Sequence, residues 1–311
     1  MPQIMAYWEQ CHFLHLKLSL GLQRCFMRWR SGRRSRNVED RRGFRVSRRV
    51  AGGGIGTIVI ALIALYFGVD PSVIFNQGAQ QGGEMVSTTQ QHSSSPTENR
   101  LADFISVVLA ETEDTWHELF GRMNKTYREP TLVLFSGAVE SACGFAQSAT
   151  GPFYCPADEK VYIDLSFYQD LKQRFHAPGD FAQAYVIAHE IGHHVQTLLG
   201  ISTKVHQLRS RLSKEKSNQL SVMMELQADC FAGIWTYHAD RSRKILEQGD
   251  IEEGLNAASA IGDDRMQRTS RGYVMPDSFT HGSSAQRVRW FRKGLETGDI
   301  NQCNTFSADR L

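Results

Sequence analysis

The residue pattern with the clearest chemical potential is the pentapeptide His-Glu-Ile-Gly-His, which contains His189, Glu190 and His193. On an α-helix, residues four apart lie about 40° apart around the axis, so both imidazoles can point at one ion. Glu190 lies about 100° further round, within reach of a metal-bound water. Zinc with three protein ligands keeps a fourth position for water and lowers the pKa of that water to about 7. The pattern therefore predicts a catalytic zinc site with Glu190 as general base.

The residues around the pentapeptide predict a single helix that contains it. Asp180 is the expected N-cap after a Pro-Gly loop, and Gly200 is the expected stop. A surface helix with inert histidines is the alternative. Apolar neighbours argue against that alternative, because buried histidines and a buried glutamate need a common partner. These neighbours are Ala184, Ile187, Ala188 and Ile191.

A third zinc ligand is expected from a second helix, predicted from about Asn218 to His238 by its apolar periodicity. Glu225 and Asp229 are four apart and share one face of it. Glu225 is the expected ligand, and Asp229 is expected to orient a ligating imidazole through its second ring nitrogen. A solvated acidic face is the alternative, but no Lys or Arg occurs between Ser217 and Asp240 to accompany it.

Other histidines are weaker candidates for the metal. His206 and His238 could serve as the third ligand, but neither has a carboxylate at matching helical spacing. His194 lies about 140° from the first ligand position on the helix. It is therefore predicted to be a packing or solvent-facing residue.

Together these motifs resemble those of the gluzincin metallopeptidases, and more closely those of a bacterial family of single-span membrane proteins, the putative neutral zinc metallopeptidases. The resemblance extends over about residues 27–306. It implies a zincin-like α+β fold with an active-site helix and a small β-sheet. It also implies zinc on His189, His193 and Glu225, with Glu190 as the base. The matching segments are Asn37-Val-Glu-Asp-Arg-Arg-Gly, Cys143-Gly, Gly151-Pro-Phe-Tyr-Cys-Pro, Val161-Tyr-Ile-Asp-Leu, the two zinc segments and Phe279-Thr-His-Gly-Ser-Ser-Ala-Gln-Arg-Val.

His281 is a second catalytic candidate by resemblance. The segment Thr280-His281-Gly282-Ser283 is similar to a Thr-His-Pro-Ser segment in prenyl-protease-like relatives, where the histidine steadies the oxyanion. Such a donor lowers the barrier by a few kcal/mol. Here Gly282 replaces the proline, and a loop histidine capping the next helix, expected at 284–294, is the alternative. Arg287 in that helix is a candidate partner for Asp229 or another carboxylate of the site.

Charge and hydropathy predict a membrane protein. Residues 1–49 carry Lys17 and eleven arginines against three acids, a net +9, so with a total of +2 the remainder is −7. Residues 50–69 are uncharged, and about twenty such residues cross a bilayer. The arginines before them predict a signal anchor in a bacterial inner membrane, with the N-terminus cytoplasmic and the body periplasmic. A buried core helix, a cleaved signal peptide and a nucleic-acid-binding tail are alternatives. We expect lipid contact through this span and no nucleic-acid partner.

The predicted organisation has four parts. Residues 1–49 form a basic cytoplasmic tail, of which 1–26 are predicted to be an upstream extension that is often not translated. Residues 50–69 form the transmembrane helix, 70–99 a flexible Gln/Ser/Gly-rich tether, and 100–311 the metallopeptidase domain. Within the domain, a helix from Leu101 and strands at 131–135 and 160–165 are predicted. The region 144–162 is the candidate for pairing with substrate backbone, by analogy with zincins.

Four cysteines lie beyond the predicted span, where oxidation is permitted. Cys143 and Cys155 flank a predicted hairpin and are the preferred short-range pair, which leaves Cys230 to join Cys303. Four cysteines allow three pairings. A site made of four thiolates is the alternative, although no Cys-x-x-Cys spacing is present.

The sequence therefore predicts a membrane-anchored zinc endopeptidase that hydrolyses protein or peptide substrates. One alternative is a binding module that retains zinc for stability, although structural zinc usually has four protein ligands. A second is a hydrolase that cleaves a non-peptide amide of the cell envelope.

Overall fold

The computed structural model describes residues 27–43, 95–147 and 151–311, which form an α+β fold. The strands are β1 (Val38–Asp40), β2 (Thr131–Phe135), β3 (Ala138–Ser141), β4 (Gly144–Gln147), β5 (Phe153–Cys155) and β6 (Lys160–Asp164). The α-helices are α1 (Pro96–Arg122), α2 (Phe167–Gln173), α3 (Asp180–Leu198), α4 (Ile201–Arg209), α5 (Lys214–Arg243), α6 (Asp250–Ala260), α7 (Asp263–Arg271) and α8 (Ser284–Thr297). Short 3-10 turns cover Pro276–Ser278, Ile300–Cys303 and Thr305–Ser307. The predicted α+β class and the small β-sheet are confirmed.

The main sheet has the strand order β1-β2-β6-β5. β1 and β6 are both parallel to β2, and β5 is antiparallel to β6 at the edge. β3 and β4 form a separate antiparallel hairpin. The predicted hairpin between Cys143 and Cys155 is therefore wrong, because the strands next to these cysteines pair in different sheets. The preferred pairing is confirmed, and the disulfide between Cys143 and Cys155 ties the two sheets together.

The active-site helix α3 ends as predicted and begins one residue away from the expected cap. Gly179 is the N-cap, and Asp180 is the first helical residue. Gly200 adopts a left-handed φ of 74° just beyond the helix. This conformation is accessible to glycine at little cost, which explains why the helix stops there. Most of the helix is buried, in agreement with its apolar sequence.

Helices α5 and α8 pack unusually close together. A Cβ atom at Gly294 would collide with the carbonyl oxygen of Cys230, and one at Gly233 would collide with that of Phe291. The two backbones thus touch where both helices lack side chains. The disulfide between Cys230 and Cys303, predicted as the second pair, holds α5 to the 3-10 turn that follows α8.

Residues 27–43 belong to this fold, whereas the sequence predicted a separate tail up to residue 49. Met27 and Trp29 are buried in the hydrophobic core, and the Trp29 ring packs edge-on against Phe104 of α1. β1 adds its backbone to β2, with Val38 opposite Leu132. The domain also begins earlier than residue 100, because Ser95 caps α1 with a reciprocal bond to Glu98.

The predicted span at 50–69, the extension at 1–26 and most of the tether at 70–99 lie outside the described residues. None of the helices in the described part of the chain is both apolar enough and long enough to cross a membrane.

We expect Gly294→Ala to destabilise the fold severely, because the added methyl group would force α8 away from the α5 backbone. A matched control is Gly121→Ala in α1, where a Cβ meets nothing within 4 Å. That change should be neutral or stabilising by up to about 1 kcal/mol. Chemical unfolding of both variants measures the difference. Equal stability of the two would show that the close helix contact is wrong.

Candidate metal centre

Three predicted ligands converge between α3 and α5. One donor atom each from His189, His193 and Glu225 lies within 4.8 Å of the others. The Nε2 atom of His189 is 3.1 Å from Glu225 Oε2, and the Nε2 atom of His193 is 3.5 Å from Glu225 Oε1. Gly192 permits this approach, since a Cβ there would lie 3.0 Å from the Cα atom of Ala228.

These separations fit a zinc ion. Ligand atoms about 2.0–2.1 Å from zinc at a tetrahedral angle lie roughly 3.4 Å apart, close to the two separations between His and Glu atoms. Two imidazoles and one carboxylate are also donors that zinc accepts. The donor set therefore suits a divalent ion with one open position.

Each imidazole is held by its other ring nitrogen. His189 Nδ1 donates to Asp229 Oδ1 at 2.9 Å, as predicted for Asp229. His193 Nδ1 donates to the side-chain oxygen of Gln196 at 2.9 Å. Such outer contacts fix the tautomer and orient the metal-binding nitrogen.

Gln196 was not predicted from the sequence. Its Nε2 donates to the carbonyl of Met224 at 2.7 Å and to the side-chain oxygen of Gln227 at 3.1 Å. Gln227 in turn donates to the carbonyl of Cys303. The signal was available, because Gln196 lies three residues after His193 on the same helix, where side chains can meet. An amide in this position orients the imidazole without adding charge.

Asp229 is the centre of a buried ion-pair network. The Nε and Nη2 atoms of Arg287 donate to its two oxygens, both at 2.9 Å, which confirms the candidate pairing. The hydroxyl of Tyr185 also donates to Asp229 Oδ1. Asp229, Arg287 and Tyr185 are all almost fully buried. Bidentate pairing of this kind compensates two charges that would be costly to bury alone.

The charges of the site reinforce one another. Burial lowers the pKa of His189, but Asp229 and Glu225 outweigh it and raise that pKa to about 10 when no metal is bound. Burial raises the pKa of Glu225, whereas His193 and His189 lower it to well below its usual value. Burial likewise raises the pKa of Asp229, and Arg287 with His189 lowers it overall. Both carboxylates are thus ionised, and a metal ion would have to displace the proton that His189 carries in its absence.

Glu190 lies beside the ligands without being one of them. It is buried, with 8% of its surface exposed, and its charge acts on His193. Its oxygens are outside the group formed by His189, His193 and Glu225. This is the arrangement predicted for a general base, near the metal position but separate from the ligands.

His281 reaches the site on a tightly bonded loop. Asp263, at the start of α7, accepts from the backbone N–H groups of Thr280, His281 and Gly282 at 2.7, 2.7 and 3.0 Å. Asp263 Oδ1 also lies 3.2 Å from His281 Nδ1. The alternative role in helix capping is wrong, since Ser283 caps α8. Burial lowers the pKa of His281, but Asp263 and the charge of Glu225 raise it more.

The remaining histidines lie elsewhere. His194 is fully buried, and its ring nitrogens bond to the carbonyl of Arg128 at 2.6 Å and the Tyr154 hydroxyl at 3.1 Å. It is a packing residue, as predicted. His206 is exposed on α4, and His238 bonds to the carbonyl of Gly298. Neither joins the three ligands.

Residues 27–306 match the model of a family described as putative neutral zinc metallopeptidase. The uncharacterized protein YpfJ of Escherichia coli (strain K12) is 52% identical over 292 residues, which cover 90% of this chain and 99% of that protein. The uncharacterized protein Rv2575 of Mycobacterium tuberculosis (strain ATCC 25618 / H37Rv) is 38% identical over 258 residues, covering 80% of this chain and 86% of that protein. No solved structure matches.

Asp229→Asn should weaken zinc binding by about 10- to 100-fold, because the amide cannot hold both the imidazole N–H and Arg287 as an anion does. Competition against a chromogenic chelator measures the change. The control is Asp277→Asn, which alters an exposed carboxylate outside this network. Unchanged zinc affinity in a folded Asp229→Asn protein would refute the orienting role.

Proposed function

Because the chain belongs to the putative neutral zinc metallopeptidase family, we propose that it is a zinc-dependent endopeptidase. One observation carries the proposal. Two imidazoles and one carboxylate converge from adjacent helices, and both imidazoles are oriented by separate partners. His189, His193 and Glu225 would hold the ion.

A bound zinc ion would supply a polarised water and Lewis-acid stabilisation of negative charge. A side chain of the protein, Glu190, carries out the proton transfers. Glu190 accepts the proton of the attacking water and delivers it to the amine nitrogen as the peptide bond breaks. Glu190 is buried, and its charge acts on the ligand candidate His193, which supports a position near the ligands.

His281 is the second catalytic side chain in this proposal. Although burial lowers the pKa of His281, Asp263 raises it overall and favours the imidazolium form, in which Nδ1–H donates to Asp263 and Nε2–H is the donor for negative charge on the substrate carbonyl oxygen. Three backbone bonds to Asp263 fix the loop that carries it. A donor fixed in advance stabilises the transition state without a reorganisation cost.

The edge strand β5 supports action on extended chains. Among the described residues it is the outermost strand of the sheet, and Tyr154 in β5 contacts His194 in α3. A free strand edge beside an active-site helix can pair with substrate backbone. This edge lies within the predicted region 144–162, and pairing along it would suit an extended peptide segment.

A zinc-stabilised binding module is less well supported. Structural zinc sites are usually closed by four protein ligands, and the convergent group among the described residues contains three. The base Glu190 would also have no use in a structural site. Membrane anchoring, periplasmic location and hydrolysis of a non-peptide amide stay predictions.

We expect Glu190→Gln to reduce peptide hydrolysis by about 10²–10⁴-fold, because the amide cannot accept the proton of water. Zinc content should stay near that of the unaltered protein. The assay uses a library of proteome-derived peptides, with new termini identified by mass spectrometry. Glu252→Gln, an exposed residue on α6, is the control. Full activity of the Glu190→Gln protein would exclude this residue as the base.

His281→Gln should lower kcat by about 10²–10³-fold with little change in KM, because its donor acts on charge that develops in the transition state. Zinc content should be unaffected. His206→Gln, on the exposed face of α4, is the matched control. A change confined to KM would assign His281 to substrate binding instead.

A further inference from the structure

A cluster of acidic side chains lies at the N-terminal end of α3, away from His189 and His193. One carboxylate oxygen each from Asp180, Asp250 and Glu253 lies within 4.8 Å of the others. Asp180 is the first residue of α3, and Asp250 and Glu253 lie in the first turn of α6. Asp250 is only 1% exposed. Asp250 is therefore a buried acid beside two half-buried ones, and burial makes its charged form costly without a counter-charge.

The backbone nitrogen of Met27 points into this cluster. It lies 3.2 Å from Asp180 Oδ1, and the Met27 residue is 2% exposed. The next residue is also fixed, since the N–H of Arg28 donates to the carbonyl of Ile245 at 2.8 Å. Residue 27 is therefore held in place against the acids.

One backbone amide does not satisfy the cluster. Within the part of the chain that the structure describes, Asp180 Oδ2 and Asp250 Oδ1 are buried and have no hydrogen-bond partner. Asp250 Oδ2 accepts from the N–H of Glu247 at 2.8 Å. Burial and the neighbouring acids raise the pKa of Asp250 to about 7. Burial raises the pKa of Asp180 too, although the backbone N–H groups of Met27, Phe181 and Asp180 itself, and then the charge of Arg100, oppose it.

We propose that this cluster is a binding pocket for an α-ammonium group, and that its ligand is the N-terminus of a chain beginning at Met27. An ammonium offers three donors and a positive charge where the amide offers one donor and no charge. The α-amino group has an ordinary pKa of about 7.7–8.0, and a carboxylate at hydrogen-bond distance favours its protonated form. A divalent cation fits less well, because the N–H of residue 27 already faces the oxygens.

The comparisons are consistent with this start. The family match begins at residue 27, and 99% of the Escherichia coli relative is covered by 90% of this chain. The pocket would explain structurally why the family match starts at residue 27. Since Asp180 is the first residue of α3, the ammonium would tie the N-terminal segment to the helix that carries His189 and His193.

The first experiment determines the N-terminus of the protein made from its own gene, by intact mass and N-terminal sequencing. We expect Met27 with a free amine. Met27→Leu distinguishes the two possible sources of such a terminus, which are translation that starts at residue 27 and proteolytic cleavage before it. If translation starts at residue 27, this change removes the short chain, whereas cleavage before residue 27 still produces it. A natural protein that retains residues before Met27 would overturn the proposal.

The second experiment compares Asp250→Asn in two full-length backgrounds. One chain begins at Met27, and the other retains residues 1–26 with Met27→Leu, so that residue 27 keeps an amide. We expect Asp250→Asn to lower Tm by about 5 °C or more in the first chain. In the second chain Tm should be unchanged or higher, because an uncompensated acid is removed. Glu252→Gln, exposed on the same helix, should have no effect in either chain.

An equal loss of Tm in both chains would overturn the proposal, as would an Asp250-dependent rise of Tm with Ca²⁺ or Mg²⁺, which would assign a cation site.

The third measurement needs no stability change. Acylation of the α-amine at pH 8 should be slow in the folded chain beginning at Met27 and faster after Asp250→Asn. Equal rates would also refute the pocket.

Discussion

The candidate site depends on one buried carboxylate. Asp229 accepts from His189 on α3, from Arg287 on α8 and from Tyr185 on α3, while it is itself part of α5. One side chain therefore fixes the mutual positions of three helices. Because Asp229 is fully buried, loss of any of its partners leaves an anion with less compensation. The same contacts of Asp229 therefore orient the metal-binding imidazole and stabilise the packing of the helices.

Small residues make that arrangement possible. Gly192 lets α3 approach Ala228 of α5, and Gly233 and Gly294 let α5 touch α8. With larger side chains at these positions, the helices would separate and Arg287 could not reach Asp229 with both nitrogens. The disulfide between Cys230 and Cys303 secures the same region. Gln227, three residues before Cys230, donates to the Cys303 carbonyl and connects this anchor to Gln196 and His193.

Much of the site was predictable because helix geometry is local. The four-residue spacings of His189 with His193 and of Glu225 with Asp229 determine which side chains share a face. Tyr185 lies four residues before His189 and Gln196 three residues after His193 on α3, but tyrosine and glutamine are common in helices, so the spacing alone did not single them out. The packing partner of a helix is a long-range property, and for that reason Arg287 could be named only as a candidate. The strand order of the sheet, and the placement of β4 and β5 in different sheets, were equally out of reach.

The largest difference concerns the N-terminal arginines, which the sequence interpretation used to orient a membrane span. In the structure several of them have partners in the fold. Arg33 pairs with Glu113 and Asp114 of α1, and Arg34 pairs with Asp103. These charges therefore have local partners, whereas the arginines next to the predicted span, Arg45, Arg48 and Arg49, lie outside the described residues. The pairing of β1 with β2 adds a stricter constraint. A chain that crosses a bilayer once between residues 43 and 95 would put these two strands on opposite sides, whereas paired strands share one compartment. A single crossing and the folded N-terminal strand are thus mutually exclusive in one molecule, and any membrane attachment compatible with this fold keeps residues 27–43 on the same side as the zinc ligands.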